Sequence, residues 1–229
     1  METVLEKPAL NFLAIQRKIS KIDEIPTYSE VKSFWKFLYE EKEGWWFSDA
    51  DAKYANYYGG WTSFCHDNIF YFIPNVEFVE ALANLLKQIS GGLRLVEVCS
   101  GDGKLAYWLR KSGVDIVATD NYSWKLGRKR IDVERLSVTK ALQKYNPRVV
   151  VGTWTPPASK IPQKVLRYPS VAYYAGIGEE TVVNYSKKLS GDLYLYELEY
   201  ISKFATARSD DYFHGTKVSL IPKNYNSKH

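Results

Sequence analysis

Residues 93–109 read LRLVEVCSGDGKLAYWL, and this stretch decides the fold. An apolar, β-branched run, Leu93 to Val98, reaches Glu97 near its end. It passes through Cys99-Ser100-Gly101-Asp102-Gly103 directly into KLAYWLRKS (104–112), which has helical spacing and stops at Gly113. Glycines at such a junction let the backbone turn tightly and approach a ligand, while the first turn of the helix offers free N–H groups. A second strand, VDIVAT (114–119), ends at Asp120, and an acid there can accept two hydrogen bonds from a ribose diol.

Outward from this junction the same alternation continues. Segment 122–130 is expected to be helical, with Lys125, Arg128, Lys129 and Arg130 as a solvated basic face. VTKALQKY (138–145) is helical up to Asn146-Pro147, VVVGT (149–153) is a strand, and SVAYYAGI (170–177) is another, followed by the helix EETVVNYSKKLS. DLYLYELEYI (192–201) and TKVSLI (216–221) close the chain as an antiparallel pair. Strands alternating with helices imply βαβ units, hence an α/β, Rossmann-like, doubly wound sheet, mostly parallel with an antiparallel C-terminal strand.

Ahead of the sheet, residues 1–74 are expected to form a helical, aromatic-rich N-terminal extension, and residues 75–229 the Rossmann-like domain. Thr27 and Glu30 have capping-box spacing and open a helix with Val31, Phe34, Trp35 and Leu38 on one face. Asn75 to Ile89 is an amphipathic helix stopped by Ser90-Gly91-Gly92. Between them, the stretch from Trp45 to Trp61 combines Tyr57, Tyr58 and Trp61 with Gly59-Gly60, and is a candidate lid that could close over a cation.

Composition bounds the class. The chain has 229 residues, 45% apolar and 25% charged, with 15% aromatics, which excludes disorder. No run approaches the roughly 18–20 apolar residues of a membrane span. Cys65 and Cys99 alone cannot build a disulfide framework or a four-cysteine zinc site, so an intracellular, cytoplasmic protein is expected, with no membrane partner and no metal. The net charge of +5 suits an anionic partner but does not demand one. His66, beside Asp67, is a candidate base, and no nucleophile–histidine pairing follows from spacing.

The glycine turn lacks a Gly-Lys-Ser/Thr ending, which excludes a nucleotide-triphosphate loop. Two cofactor readings remain. Gly101-Asp102-Gly103-Lys104-Leu105-Ala106 satisfies a relaxed GxGxxA dinucleotide pattern, so NAD(P) and an oxidoreductase stay open. Glu97 ahead of the glycines would repel a pyrophosphate and suits a ligand bearing an ammonium and a sulfonium, which is S-adenosylmethionine.

Glu97-x-Cys99-x-Gly101-x-Gly103, with Asp120 closing the next strand, resembles the first two motifs of class I S-adenosylmethionine-dependent methyltransferases. Cys99 stands where the family has a glycine. The resemblance covers about residues 75 to 221. It implies that Glu97, Cys99, Gly101 and Gly103 frame the methionine end of the cofactor, that Asp120 takes its ribose hydroxyls, and that Asn121 and Tyr122 border its adenine. The family's acid before the fourth helix, near the adenine amino group, has its counterpart at Ser137. Thr153-Trp154-Thr155-Pro156-Pro157-Ala158 resembles the fourth motif of amino-group methyltransferases, with Thr155 in the polar place and Ala158 where an aromatic belongs. The resemblance implies Thr153 beside the cofactor and Trp154, Thr155 and Glu179 toward the acceptor, a nucleic acid, a protein or a small molecule. A non-catalytic protein of this fold, or a nucleic-acid-binding module, remains the alternative outside enzymology, because Cys99 and Ala158 depart from the pattern.

Overall fold

The computed structural model describes residues 7–40, 73–126, 129–155, 159–178, 196–205 and 217–223. The helices α1 (Lys7–Ser20), α2 (Tyr28–Glu40) and α3 (Val76–Ser90) lead into β1 (Leu95–Val98), α4 (Lys104–Lys111), β2 (Ile116–Asp120) and β3 (Val133–Arg135). There follow α5 (Val138–Tyr145), β4 (Val149–Thr153), α6 (Ile161–Leu166), β5 (Tyr173–Gly178), β6 (Tyr196–Glu197), α7 (Glu199–Ser202) and β7 (Lys217–Pro222).

The sheet has the order β3-β2-β1-β4-β5-β7-β6. Five strands, β3 to β5, are parallel, with Leu95 opposite Ile116 across β1–β2 and Val96 opposite Val150 across β1–β4. β7 runs antiparallel between β5 and β6. This is the Rossmann-like, mostly parallel sheet with an antiparallel final strand that the alternation of strands and helices predicts. The chain winds one way from β1 through β2 to β3 and the other way through β4 to β5. The β1/β4 boundary is therefore the switch point, beside which open sheets of this kind bind ligands at the carboxyl ends of their strands.

Strand alternation divides the core into two layers. Leu95, Val149, Val151, Ala175 and Ile177 face α3 and α4, where Phe78, Leu82, Leu86, Leu105 and Leu109 are buried. Val96, Val98, Val150 and Tyr174 face the other way, onto Ala141 and Leu142 of α5 and Val165 of α6. Glu97 shares the face of Leu95, and Thr153 that of Val151, so both belong to the α4 side.

Local capping follows the sequence. The Thr27 backbone N–H donates to Glu30 Oε2 at 2.8 Å and the Glu30 N–H donates back to Thr27 Oγ1 at 3.2 Å, a reciprocal capping box. Asn75 Oδ1 accepts from the Phe78 N–H at 2.9 Å and caps α3, which ends at the left-handed Gly91. Two backbone N–H bonds fasten this region together: Tyr28 N donates to Glu77 Oε2 at 2.6 Å and Val76 N to the Pro26 carbonyl at 3.1 Å.

The structure corrects the sequence in three places. The described residues of 122–130 form no helix: Asp120 Oδ1 accepts from the Tyr122 N–H and Asn121 Oδ1 from the Ser123 N–H, and Tyr122 sits at φ 60°. Short polar side chains that bind backbone two residues on compete with helix hydrogen bonds, and here they win. Lys125, Lys129 and Arg130 therefore lie on no helix, and Arg130 instead lies over the Tyr122 ring, 4.0 Å from its centroid. Of the strand expected over 192–201, Tyr196–Glu197 pairs with β7, after which the chain turns into α7 and buries Ile201. Finally, the structure adds β3 and α6; β3 has only three residues, too few for a period to register.

The lid stretch Trp45 to Trp61, His66, Pro156 to Ala158, Glu179 and the expected helix at 179–190 lie outside the described residues. Among the described residues, no helix is long and apolar enough to cross a membrane.

Candidate active site

The turn between β1 and α4 is built from left-handed residues: Cys99 at φ 58°, Gly101 at φ 59° and Gly103 at φ 84°. Cys99 takes the conformation a glycine would take there, at a cost on the order of 1 kcal/mol. The rest of the turn holds it in place. Ser100 donates to the Thr119 carbonyl through both its N–H and its hydroxyl, each at 3.1 Å, and the Thr119 hydroxyl donates to the Glu97 carbonyl at 2.8 Å.

The glycines differ in why they are needed. A Cβ on Gly101 would meet nothing within 4 Å, so this position opens onto free space. A Cβ on Gly103 would lie 2.5 Å from Val133 Cγ2 and 2.6 Å from the Ile131 carbonyl oxygen. Gly103 thus allows segment 131–133 to close against the turn, an approach fixed by Ile131 N donating to the Asp102 carbonyl at 2.9 Å.

Asp120 ends β2 half-buried and reaches back to the turn. Its Oδ2 accepts from the Gly101 N–H at 3.1 Å and its Oδ1 from the Tyr122 N–H at 2.7 Å. A carboxylate has about four acceptor positions, so two remain for a ligand. Asn121 is exposed beside it. Ser137 caps α5, its hydroxyl accepting from the Lys140 N–H at 3.4 Å, and lies next to Leu136, whose N–H donates to the Asp120 carbonyl at 3.0 Å.

Glu97 is 1% exposed, beneath the first turn of α4. Its Oε1 accepts from the Thr153 hydroxyl at 2.9 Å, and its Oε2 is buried with no hydrogen-bond partner. Burial pushes its carboxyl up to about 8; Asp102 adds to the rise, while the Thr153 hydroxyl, the Arg110 guanidinium and the Ala106 N–H oppose it. The Cys99 thiol is pushed up to about 12 by burial, with Asp120 and Glu97 adding to it. It is a neutral thiol rather than a nucleophile.

At the end of β4, Trp154 is left-handed at φ 47° and its N–H donates to the Ile177 carbonyl at 2.7 Å. Thr155 is buried, its side chain hydrogen-bonded to the Tyr174 hydroxyl, whose ionisation burial drives upward. Tyr174 crosses β4 at Gly152, where a Cβ would lie 2.1 Å from its hydroxyl oxygen. Sequence reasoning missed this Tyr174–Gly152 crossing, although a lone glycine inside VVVGT was its signal.

The structure therefore brings Glu97, Cys99, Gly101, Asp120 and Thr153 together at the carboxyl ends of β1, β2 and β4, with Asn121 and Ser137 at the β2 side and Trp154 and Thr155 at the β4 end. Among the described residues, no group of three His, Cys, Asp or Glu side chains could hold a metal ion.

No protein-family profile and no curated protein matches the sequence. Among solved structures, the chain is similar to the 23S rRNA methyltransferase ErmE, with 13% identity, TM-score 0.42 and coverage of 67% of this chain and 70% of that one. It is also similar to an S-adenosylmethionine-dependent O-methyltransferase from Thermotoga maritima, with 13% identity, TM-score 0.45 and coverage of 69% and 68%. A third is M. capricolum TrmK in complex with S-adenosylhomocysteine, with 14% identity, TM-score 0.39 and coverage of 64% and 67%. The sheet described above, parallel through five strands and finished by an antiparallel one, is a Rossmann-like arrangement.

Proposed function

We propose that this protein binds S-adenosylmethionine at the carboxyl ends of β1, β2 and β4 and transfers its methyl group to an acceptor that approaches past the end of β4. The observation that carries this reading is Glu97 Oε2, a buried carboxyl oxygen without a partner at the switch point of the sheet. Burial favours the protonated form of this carboxyl in the free protein, and a positively charged ligand beside it would favour the ionised form.

The residues fit such a ligand. Glu97 would face its positive charge, the opening at Gly101 would admit it to the turn, and the two free acceptor positions of Asp120 would take its ribose hydroxyls. Asn121 and Ser137 stand where they would border its base. When bound, S-adenosylmethionine supplies a methyl on a sulfonium, which an acceptor atom displaces in line to leave S-adenosylhomocysteine. The contribution of this chain is positioning. Thr153 holds the Glu97 carboxyl in place, and the Tyr174–Thr155 contact and the Trp154–Ile177 bond fix the chain leaving β4. Thr153 and Trp154 would present the acceptor, with Glu179 following β5, while Thr155, buried against the Tyr174 hydroxyl, supports them. Cys99 does not weigh against cofactor binding, because its backbone takes the left-handed shape a glycine would take.

A dinucleotide fits less well. Its pyrophosphate would approach Asp102, and Gly103, which the fingerprint reserves for close approach of that pyrophosphate, is already covered by segment 131–133. Calorimetric titration with S-adenosylhomocysteine and with NAD separates the two. Binding of the first and not the second is expected; binding of NAD alone overturns the methyltransferase reading. Binding of neither assigns the chain to the non-catalytic alternative.

A further inference from the structure

Helix α4 faces two ways. Its first residue, Lys104, closes the glycine turn with its backbone, the N–H donating to Asp102 Oδ1 at 3.1 Å. The side chain of the same residue runs in the opposite direction and is 3% exposed. Its ammonium donates to the carbonyls of Lys18 at 2.8 Å, Ile19 at 2.9 Å and Lys21. One helical turn later, Trp108 Nε1 donates to the Ile22 carbonyl at 2.8 Å.

These four carbonyls belong to the last turn of α1 and the residues just after it, where a helix has no N–H of its own to offer. A cation there also meets the negative end of the helix dipole. A buried ammonium is tolerated only when its donors are used, and three carbonyls consume all three. Lys104 and Trp108, four residues apart on one face of α4, thus grip the C-terminus of α1 through backbone atoms alone. Neither residue is needed to form α4, which would begin after Gly103 with any good helix former.

We infer that Lys104 is a positioning residue for the cofactor: by gripping the C-terminus of α1 it fixes the first turn of α4, and the docking of α1 thereby sets cofactor affinity. This rests on the cofactor reading above. Coupling of this kind is reciprocal, so a cofactor that tightens the glycine turn must tighten the docking of α1 by the same factor.

The test uses the full chain and S-adenosylhomocysteine as probe. In the wild type, adding the probe slows amide hydrogen exchange across residues 18–27. Lys104→Met weakens probe binding about tenfold or more and Trp108→Phe, which removes one donor, about threefold. Lys104→Arg, which keeps the charge and several donors, recovers part of the loss. A lysine with a merely structural role would lower the melting temperature and leave the affinity of the folded protein unchanged. The inference is overturned if Lys104→Met releases the amides of 18–27 yet binds the probe as tightly as wild type. If Lys104→Met does not fold, an unchanged affinity in Trp108→Phe together with no probe effect on wild-type exchange overturns it. A wild type that binds no probe at all brings down the cofactor reading, and this inference with it; binding without coupling brings down this inference alone.

Discussion

The Thr153 hydroxyl donates to Glu97 Oε1 at 2.9 Å, tying the end of β4 to β1 across the switch point of the sheet. One oxygen of the carboxyl is thereby fixed, and the other is left buried without a partner.

Glu97 makes the stability of the ligand-free protein depend on pH. Its folded carboxyl is pushed from 4.5 up to about 8 by burial, so between these values the native state holds a proton that the unfolded chain has lost. The stabilisation from this group is fully present below the unfolded value and is lost as pH rises through the folded one. Urea unfolding from pH 5 to 9 should show wild-type stability falling with pH, and Glu97→Gln should flatten that fall. Parallel slopes for the two proteins would contradict the assignment.

Binding of a cationic ligand should release this proton. Near pH 7 the free protein carries Glu97 largely protonated, and a positive charge beside it favours the ionised form. Titration with S-adenosylmethionine in buffers of different ionisation enthalpy should report close to one proton released at pH 6.5, and almost none above pH 9. In Glu97→Gln that release should vanish.

Asp120 holds the glycine turn as well as a candidate ribose site. Asp120→Ala removes the acceptor of the Gly101 and Tyr122 N–H groups and should cost about 1–3 kcal/mol of stability. Affinity for S-adenosylhomocysteine should fall on the order of a hundredfold, since charge-assisted bonds to the ribose are lost with it. Denaturant melts and calorimetry measure the two effects separately.

The two glycines of the turn should respond differently to a methyl group. Gly101→Ala meets open space and should cost only about 1–2 kcal/mol for its left-handed backbone. Gly103→Ala adds a clash with Val133 and with the Ile131 carbonyl, for a further ~1–3 kcal/mol. In the folded protein, Gly101→Ala should reduce cofactor affinity more than it reduces stability. Equal melting temperatures for the two variants would show that segment 131–133 yields.

The local chemistry of this chain was legible without any structure. Period and turn residues defined β1, α4, α5 and β4; Asn75, Thr27 with Glu30, and Gly91 marked helix ends, because caps act within three or four residues of themselves. The acid–glycine turn and Asp120 were visible for the same reason. What the tertiary structure decided depends on atoms far apart in sequence. Asp120 accepts from the Gly101 N–H of a turn nineteen positions earlier. Gly103 is needed because Val133 and Ile131 arrive from β3. Lys104, which reads as an ordinary helix residue, meets carbonyls more than eighty positions away. The charge state of Glu97 belongs to this second group: the sequence places a carboxyl at position 97, but only burial between β1, β4 and α4 withdraws the water that would keep it ionised.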